Sequence, residues 1–510
     1  MLKCPKCLSD KVVRHSHSSS GRQRYSCKSC GHRTVSPIGL DHIDESIERG
    51  IVSENIRNLK KTKRWVITSA QNATPVNKSF LESLEVYCEY TNSQLVITPY
   101  RYRNPTSIFT DKDHDWWDEN IVPYLLDQRV SLCPGLMLLG DIKVQPTAST
   151  PLSGLEGFTG GDSCIVGHPK YQMSTVPTRQ GHMAKIMTTT GSCTVENYTA
   201  SKAGKKGIHH HVFGAIIAET DGEDFFIRHV SAGPDGTFYD LDKHYSPEGV
   251  RASESVSTLT LGDLHHWWMD KRTEEATFGE KGIIETLNPQ AVVLHDCIDS
   301  FSISYHHKSP FLKYAKHQYG KNSIKDELSD FAGWLDERLS NYNTVIVSSN
   351  HHEHVKRWLE ETDWKSDFTN ADFYLETALW MLRNSKIDHQ GENTPDPFIW
   401  WIGRLSNHPN LTLLDIDDSF EVKGVEHGNH GHYGPNGARG SVNNLSKIGS
   451  KITFGHGHSP GTRDGAYMAG VCTEEMSYAK GPSSWLQSHV VLYPDGKRSH
   501  ITIINGKWRA

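Results

Sequence analysis

The feature that most constrains this chain is a series of metal-ligand residue types in its second half, each placed just after a short apolar run. Carboxylate, imidazole and amide oxygen are the ligands that hard and borderline divalent ions accept. Open α/β sheets carry their sites at the carboxyl ends of strands, so the pattern predicts an α/β fold with a metal site at that edge. The residues concerned are Asp263, His265, Asp296, Asp299, Asn350, His351, His456 and His458.

Four apolar runs, at 257–261, 290–294, 344–348 and 451–454, are predicted to be the strands that deliver these ligands. Each run ends in a short polar motif, three of which contain glycine or serine. Glycines at 262, 455 and 457 permit close approach of the backbone. In a turn, the two side chains of each D-x-H or H-x-H triplet can converge on adjacent ions.

The order of these motifs resembles the calcineurin-like metallophosphoesterase superfamily, whose pattern is D-x-H, G-D-x-x-D, G-N-H-[DE], H and G-H-x-H. The resemblance covers residues 257–475 and implies a β-sandwich flanked by helices, with two divalent ions, manganese or alternatively magnesium. It implies that His351 faces the leaving-group oxygen and that Asp299 orients His351 or supports the ligands. The implied ligands are Asp263, His265, Asp296 and His458 for the first ion, and Asp296, Asn350, His430 and His456 for the second.

Two positions depart from the family pattern. His295 stands in place of the glycine of the second motif, and Ser349 in place of that of the third. The usual acidic residue of the third motif is shifted by one place, to Glu353. The metal ligands themselves are all present, so we expect changes in the shape of the site and not its loss.

The upstream histidine has three candidates, His427, His430 and His432, which follow a strand-like stretch at 420–425. His430 is preferred because His-Gly-His before a glycine-rich turn resembles the strand-end histidine of the family. Two substrate contacts are also predicted near the ions. Arg439 offers a bidentate fork to a phosphate, and Trp267 could stack on a base.

The amino terminus carries a second metal signal. Two C-x-x-C knuckles, Cys4 with Cys7 and Cys27 with Cys30, resemble a zinc ribbon and predict one structural zinc ion. Residues 1–37 have a net charge of +7, while the whole chain is −6, which leaves −13 for the remainder. A basic module with Tyr25 as an exposed aromatic fits DNA binding, and a ribbon that contacts only protein is the alternative.

The remaining sequence defines the domain prediction: a zinc ribbon at 1–37, a basic, mixed-charge linker at 38–64, an accessory α/β domain at 65–255 and the metallophosphoesterase domain at 256–510. A β-α-β pattern opens the accessory domain at 65–98. One motif there imitates a metal motif, since Gly140-Asp141 follows an apolar run. Lys143 replaces the expected histidine, so we interpret that copy as structural.

These features together predict a metal-dependent DNase. With its ribbon, the chain resembles tailed-phage metallophosphoesterases, among them an early protein implicated in host-DNA degradation. A phosphoprotein or nucleotide phosphatase is the alternative enzyme, and a non-catalytic DNA-binding regulator or scaffold is the alternative of another class. No apolar run reaches the roughly 20 residues of a membrane span. We therefore expect a cytoplasmic protein, located in the host cytoplasm if the chain is phage-encoded. DNA is the expected partner. A homo-oligomer or a protein partner is a further alternative.

Overall fold

The computed structural model describes residues 4, 6–7, 9–17, 23–34, 59, 61–109, 116–388 and 391–510. Most of the linker predicted at 38–64 lies outside these residues. The described chain has a mixed α/β architecture with several sheets, as the sequence predicts. None of the helices in the described ranges combines the length and apolarity that a membrane crossing requires.

The first half of the chain contributes fifteen described strands and two helices. They are β1 (Val12–His17), β2 (Gln23–Cys27), β3 (Arg33–Thr34), β4 (Arg64–Gln71), α1 (Lys78–Thr91), β5 (Gln94–Tyr100), β6 (Arg129–Cys133), β7 (Leu136–Leu139), β8 (Ser163–Val166), β9 (Gln172–Val176), β10 (Lys185–Thr189), α2 (Lys202–His210), β11 (Gly214–Thr220), β12 (Phe225–Ser231), β13 (Phe238–Asp240), β14 (Lys243–Ser246) and β15 (Gly249–Ala252).

The second half contributes the other described strands and helices. They are β16 (Thr258–Thr260), α3 (Lys271–Phe278), α4 (Ile283–Leu287), β17 (Ala291–Leu294), α5 (Pro310–Gln318), α6 (Ile324–Leu339), β18 (Asn343–Val347), α7 (Asn350–Glu361), α8 (Ala371–Asn384), β19 (Lys386–Asp388), β20 (Gly391–Asn393), α9 (Pro397–Leu405), β21 (Leu411–Leu414), β22 (Glu421–Val422), β23 (Val425–Glu426), α10 (Val442–Leu445), β24 (Lys451–Phe454), β25 (Gly461–Arg463), β26 (Ala466–Met468), β27 (Ser488–Leu492) and β28 (Arg498–Thr502).

The amino-terminal module is a three-stranded antiparallel sheet in the order β1-β2-β3. Tyr25 lies on the central strand, opposite Arg14 on one side and Thr34 on the other. Only 5% of Tyr25 is exposed. The prediction of an exposed aromatic at this position is therefore wrong, because a residue on a central strand has neighbours on both sides.

A six-stranded sheet in the order β21-β18-β17-β16-β27-β28 carries three of the four predicted ligand strands. β16, β17, β18 and β21 are parallel, so their carboxyl ends meet at one edge. Helices cover one face, where Leu259 and Val292 share a core with Phe331 of α6 and Phe398 of α9. The fourth predicted strand, β24, also forms, but it belongs to a different sheet.

That other sheet has ten strands in the order β22-β23-β24-β26-β25-β9-β10-β8-β7-β6. Side chains of β28 contact it directly: His500 Nε2 lies 3.0 Å from the carbonyl oxygen of Met468, and Arg498 donates to the carbonyl oxygen of Ile452 at 2.6 Å. The ten-stranded sheet contains strands from both sides of the predicted boundary between residues 255 and 256, because β9 pairs with β25. The domain boundary placed there stays a prediction.

The first half also contains a three-stranded sheet in the order β13-β14-β15 and a four-stranded sheet in the order β12-β11-β4-β5. β4 and β5 are parallel and joined by α1, which confirms the predicted β-α-β unit. Phe80 and Leu84 of α1 pack on Val66 and Ile97 of the sheet. The opposite face of this sheet packs against strands of the ten-stranded sheet, so that sheet contacts both halves of the chain.

Candidate metal centre

The predicted ligand motifs lie in turns that follow the strands. Asp296, His265, His456 and His458 all have positive φ angles, of 39°, 43°, 70° and 54°. Non-glycine residues in the left-handed region are uncommon and cluster at functional sites. The tight turns point neighbouring ligand side chains into one space, as the sequence predicts for the D-x-H and H-x-H triplets.

Gly455 shows why one of these turns requires glycine. A Cβ atom at this position would lie 2.2 Å from Asp263 Oδ1 and 3.1 Å from the Cβ atom of His295. The backbone of the G-H-x-H motif therefore passes directly over the carboxylate of the D-x-H motif. The predicted close approach at this glycine is confirmed.

The four residues predicted to hold the first ion converge in the structure. Asp263, His265, Asp296 and His458 are all buried, and their ligand atoms lie within 4.8 Å of one another. His458 Nε2 lies 3.0 Å from Asp263 Oδ2 and 3.3 Å from His265 Nε2. Such a cluster of two carboxylates and two imidazoles is a suitable ligand set for a divalent ion.

The residues predicted to hold the second ion meet on the other side of Asp296. Asn350 Oδ1 lies 3.1 Å from His430 Nε2 and 3.1 Å from His456 Nδ1. His430 Nε2 lies 3.1 Å from Asp296 Oδ2. The same carboxylate oxygen lies 4.0 Å from His265 Nε2, so Asp296 stands between the two groups of ligands.

Of the three upstream histidines, His430 is the one that approaches Asn350 and Asp296. His427 instead contacts Thr260 Oγ1, through Nδ1 at 3.1 Å. His432 lies 3.7 Å from Glu353. The geometry agrees with the preference for His430, which the sequence left open.

The buried carboxylates of Asp263 and Asp296 lie 3.0 Å and 3.1 Å from imidazole nitrogens but form no well-aligned hydrogen bond with them. In the described part of the chain, both oxygens of Asp263 and of Asp296 are buried without a hydrogen bond. Buried polar atoms are nearly always satisfied, so buried carboxylates of this kind are suited to hold a cation. The donor set fits divalent metal ions.

The charge states of Asp296 and His456 suit metal binding, whereas the pKa of His430 is raised, because the opposing effect of burial is outweighed by Asp296 and Asp263. Burial opposes ionisation of Asp296, but His430 and His351 hold the pKa of this carboxyl well below its usual range. Burial, followed by the nearby His430, lowers the pKa of His456 to about 4. The Asp296 carboxylate is thus charged and the His456 imidazole is neutral, which are the forms that bind metal.

His351 lies beside the ligands and is held by Asp299. Its Nδ1 atom lies 3.2 Å from Asp299 Oδ1 and 3.1 Å from the carbonyl oxygen of the same residue. Asp299 Oδ1 also lies 3.4 Å from Nδ1 of His265. Burial lowers the pKa of His351, but Asp296 and Asp299 outweigh it and raise that pKa to about 10.

The two predicted substrate contacts differ in position. Arg439 is exposed and donates from Nε to His456 Nε2 at 3.2 Å, at the edge of the cluster. The ammonium of Lys321 lies 3.6 Å from the centroid of the Trp267 ring, and the indole nitrogen of Trp267 donates to Asp330 at 3.0 Å. The face of Trp267 is thus already in contact with a cation of the protein itself.

Several residues near the site were not identified from the sequence. The ring of Trp485 lies 4.1 Å from that of His458, and Tyr478 packs against Trp485 at 5.6 Å. The carboxylate of Glu327 accepts hydrogen bonds from the backbone of Phe301 and Ser302, just after Asp299. None of these residues belongs to a short motif, so only their position in space identifies them.

The four cysteines of the amino-terminal module also converge. Cys4 Sγ lies 3.5 Å from Cys30 Sγ, and Cys7 Sγ lies 3.6 Å from Cys27 Sγ. All four sulfur atoms lie within 4.8 Å of one another. These separations exceed the roughly 2.05 Å of a disulfide and suit four thiolates around one tetrahedral zinc ion.

Comparisons with known proteins support the zinc ribbon and relate most of the chain to a phage protein. Residues 1–31 match the family model of the InsA N-terminal domain, a zinc ribbon. The chain is 32% identical over 483 residues to Protein A1 of Escherichia phage T5, which covers 90% of this chain and 86% of that protein. With this coverage, the similarity extends through both halves of the chain.

Proposed function

Since the chain belongs to the family of Protein A1 of Escherichia phage T5, we propose that it acts as a phage DNase with a calcineurin-like metallophosphoesterase centre. The observation that carries the proposal is the position of Asp296 between two groups of ligands. Manganese is the proposed ion at both positions, with magnesium as the alternative. Such an enzyme would act on DNA in the host cytoplasm.

Two ions at this site would activate a water molecule and neutralise charge on the phosphoryl group. Asp263, His265 and His458 would hold one of them, Asn350, His430 and His456 the other, and Asp296 both. Since hydrolysis would need both ions, we expect none after chelation.

His351 would act on the leaving group. Its Nδ1 atom is engaged by Asp299, which fixes the ring and leaves Nε2 to hold a proton at the leaving oxygen. The side chain of His351 is 15% exposed, so substrate can reach it. Arg439 would contact a phosphate at the edge of the site, where its guanidinium is exposed.

The amino-terminal ribbon supports DNA as the substrate. Its described cations Lys6, Lys11, Lys28 and Arg33 are exposed. Within residues 1–37 the only acid is Asp10. Phosphate contacts dominate nonspecific DNA affinity, so this surface would hold DNA near the metal-bearing half.

One comparison of substrates tests the proposal. Plasmid DNA, a phosphopeptide and a nucleotide would each be incubated with the full chain and manganese, with and without chelator. We expect manganese-dependent cleavage of the plasmid. Release of phosphate from the peptide or nucleotide without plasmid cleavage would favour the phosphatase, and no hydrolysis of any substrate would favour a binding protein.

A further inference from the structure

The ten-stranded sheet has the same strand order from either end to its centre. One end runs β22-β23-β24-β26-β25 and the other β6-β7-β8-β10-β9, with matching antiparallel and parallel pairs. The two central strands pair with each other antiparallel, with Thr462 opposite Met173. An antiparallel pair has a local two-fold axis, so the sheet has an approximate two-fold axis at this residue pair.

The six-stranded sheet of the second half and the four-stranded sheet of the first half also correspond to each other. In the second half, β16 pairs with β17 in parallel and with β27 antiparallel, and β27 pairs with β28. In the first half, β4 pairs with β5 in parallel and with β11 antiparallel, and β11 pairs with β12. The strands also follow in the same order along the chain, except that the second half adds β18 to β21.

Individual hydrogen bonds identify equivalent residues. The backbone N–H of Cys472 donates to the carbonyl oxygen of Asp263 at 2.8 Å, and that of Cys193 donates to the carbonyl oxygen of Ser69 at 2.8 Å. Ser69 therefore occupies in the first half the position that Asp263 occupies in the second. A serine hydroxyl there cannot replace the charge of the lost carboxylate.

The next hydrogen bond in each half gives the same correspondence. The carbonyl oxygen of Cys472 accepts from the N–H of Asp270, and that of Cys193 accepts from the N–H of Asn77. Asp270 is the N-cap of α3 and Asn77 is the N-cap of α1. The main-chain path from the strand end to the following helix is thus repeated.

The G-H-x-H motif also has a counterpart, Gly167-His168-Pro169-Lys170, which follows β8 as the metal motif follows β24. A Cβ atom at Gly167 would lie 1.9 Å from Thr98 Oγ1, so this glycine too lies against the neighbouring strand end. Lys170 stands at the position of the ligand His458. Among its described residues, the first half also has no counterpart of β18, the strand that precedes Asn350.

A loop that follows the Gly140-Asp141 motif closes this edge. The carbonyl oxygen of Gln145 lies 3.1 Å from His168 Nε2, and that of Ser149 accepts from Lys170 Nζ at 2.7 Å. Lys143 Nζ donates to the carbonyl oxygens of Gly140 at 2.6 Å and Pro99 at 3.0 Å. Its ammonium thus joins the ends of β7 and β5, the counterparts of β23 and β17.

We propose that residues 64–231 are a second copy of the metal-bearing half that has lost its ion-binding side chains, and that the ammonium of Lys143 holds the corresponding strand ends together there. The described part of the chain then has two copies of one fold, and one of them carries the divalent-metal centre. β8 and β24 run in opposite directions, so the two strand ends lie at opposite edges and cannot share ions. The approximate two-fold axis relates the two copies as it would relate the subunits of a symmetric dimer. Only the presence of ions in the metal-bearing half rests on the proposed function.

Metal content tests the first part of this proposal. The full chain would be saturated with manganese, freed of excess ions and measured by elemental analysis, beside the Asp296→Asn variant. We expect two manganese ions per chain besides zinc in the natural chain and none in the variant. More than two ions, or ions that remain in the variant, would overturn the proposal, whereas no manganese in either would overturn only the proposed function.

Substitution of Lys143 tests the second part independently of the ions. In Lys143→Met, backbone hydrogen exchange near Pro99 and Gly140 should become at least about ten-fold faster, as expected when hydrogen bonds to a charged group are removed. Manganese content and hydrolysis of a small phosphodiester should not change. The matched control is Lys202→Met at an exposed position of α2. Exchange as slow as in the control, or loss of manganese, would show that Lys143 does not have this role.

Discussion

The carboxylate oxygen Oδ2 of Asp296 lies 3.1 Å from Nε2 of His430, although the two residues follow strands of different sheets. Asp296 follows β17 of the six-stranded sheet, and His430 follows β23 of the ten-stranded sheet. The candidate metal centre therefore lies where the two sheets meet. Its integrity depends on how these sheets pack as much as on the ligands themselves.

Replacement of a ligand should abolish hydrolysis without unfolding the chain. Asp296→Asn or His458→Ala each removes a predicted direct ligand, so we expect manganese-dependent DNA cleavage to fall by at least about 100-fold. Circular dichroism should stay close to that of the natural chain. Asp330→Asn, which alters the partner of Trp267 away from the ligands, is the control. Full activity of either ligand variant at saturating manganese would contradict the site assignment.

The three upstream histidines should differ in their effect. His430→Ala should lose one manganese ion and most of the activity, because His430 contacts Asn350 and Asp296. His432→Ala should retain both ions, because His432 lies near Glu353 instead. Manganese titration of the two variants gives the comparison. The reverse result would make His432 the ligand.

His351→Asn should separate turnover from metal binding. The substitution removes the group proposed at the leaving oxygen, so kcat should fall by about 100-fold or more, the usual contribution of a general acid. Both ions should remain, since none of the proposed ligand contacts is changed. Elemental analysis beside steady-state kinetics tests this. A collapse of the metal content would instead make His351 a ligand.

A buried ion pair should dominate the stability of the first half. Arg228 donates to Glu219 at 2.7 Å and to Asp240 at 2.8 Å, and all three side chains are at most 6% exposed. Arg228→Met leaves Asp240 buried without its cation and leaves Glu219 with Arg64 at 3.5 Å, so the free energy of unfolding should fall by about 3–5 kcal/mol. The control is Arg129→Met, which removes an exposed pair with Asp141 and should cost less than about 1 kcal/mol. Chemical denaturation of both variants provides the measurement.

Removal of residues 1–37 should separate DNA binding from catalysis. The truncated chain should lose one zinc ion and bind long DNA more weakly, with a shallower salt dependence because phosphate contacts are lost. Hydrolysis of a small chromogenic phosphodiester should survive, since every proposed catalytic residue lies beyond residue 257. An unchanged salt dependence would assign the ribbon to a protein partner or to assembly, and would favour the phosphatase alternative.

The sequence by itself determined the local parts of this protein. The strands before Asp263, Asp296, Asn350 and His456 could be predicted because an apolar run and the turn after it lie in one contiguous stretch. The two cysteine pairs could be predicted for the same reason. Exposure of Tyr25 could not, because it depends on which strand becomes the central one.

Only the tertiary structure decided how these parts combine. The choice among His427, His430 and His432 depends on the packing of two sheets, and strand periodicity does not specify which sheet a strand joins. The repeated fold of the first half was not visible in the sequence, because Ser69 and Lys170 stand where the second half has ligands. Its main-chain hydrogen bonds still reveal the repeat, since strand pairing is made by backbone groups that every side chain leaves in place.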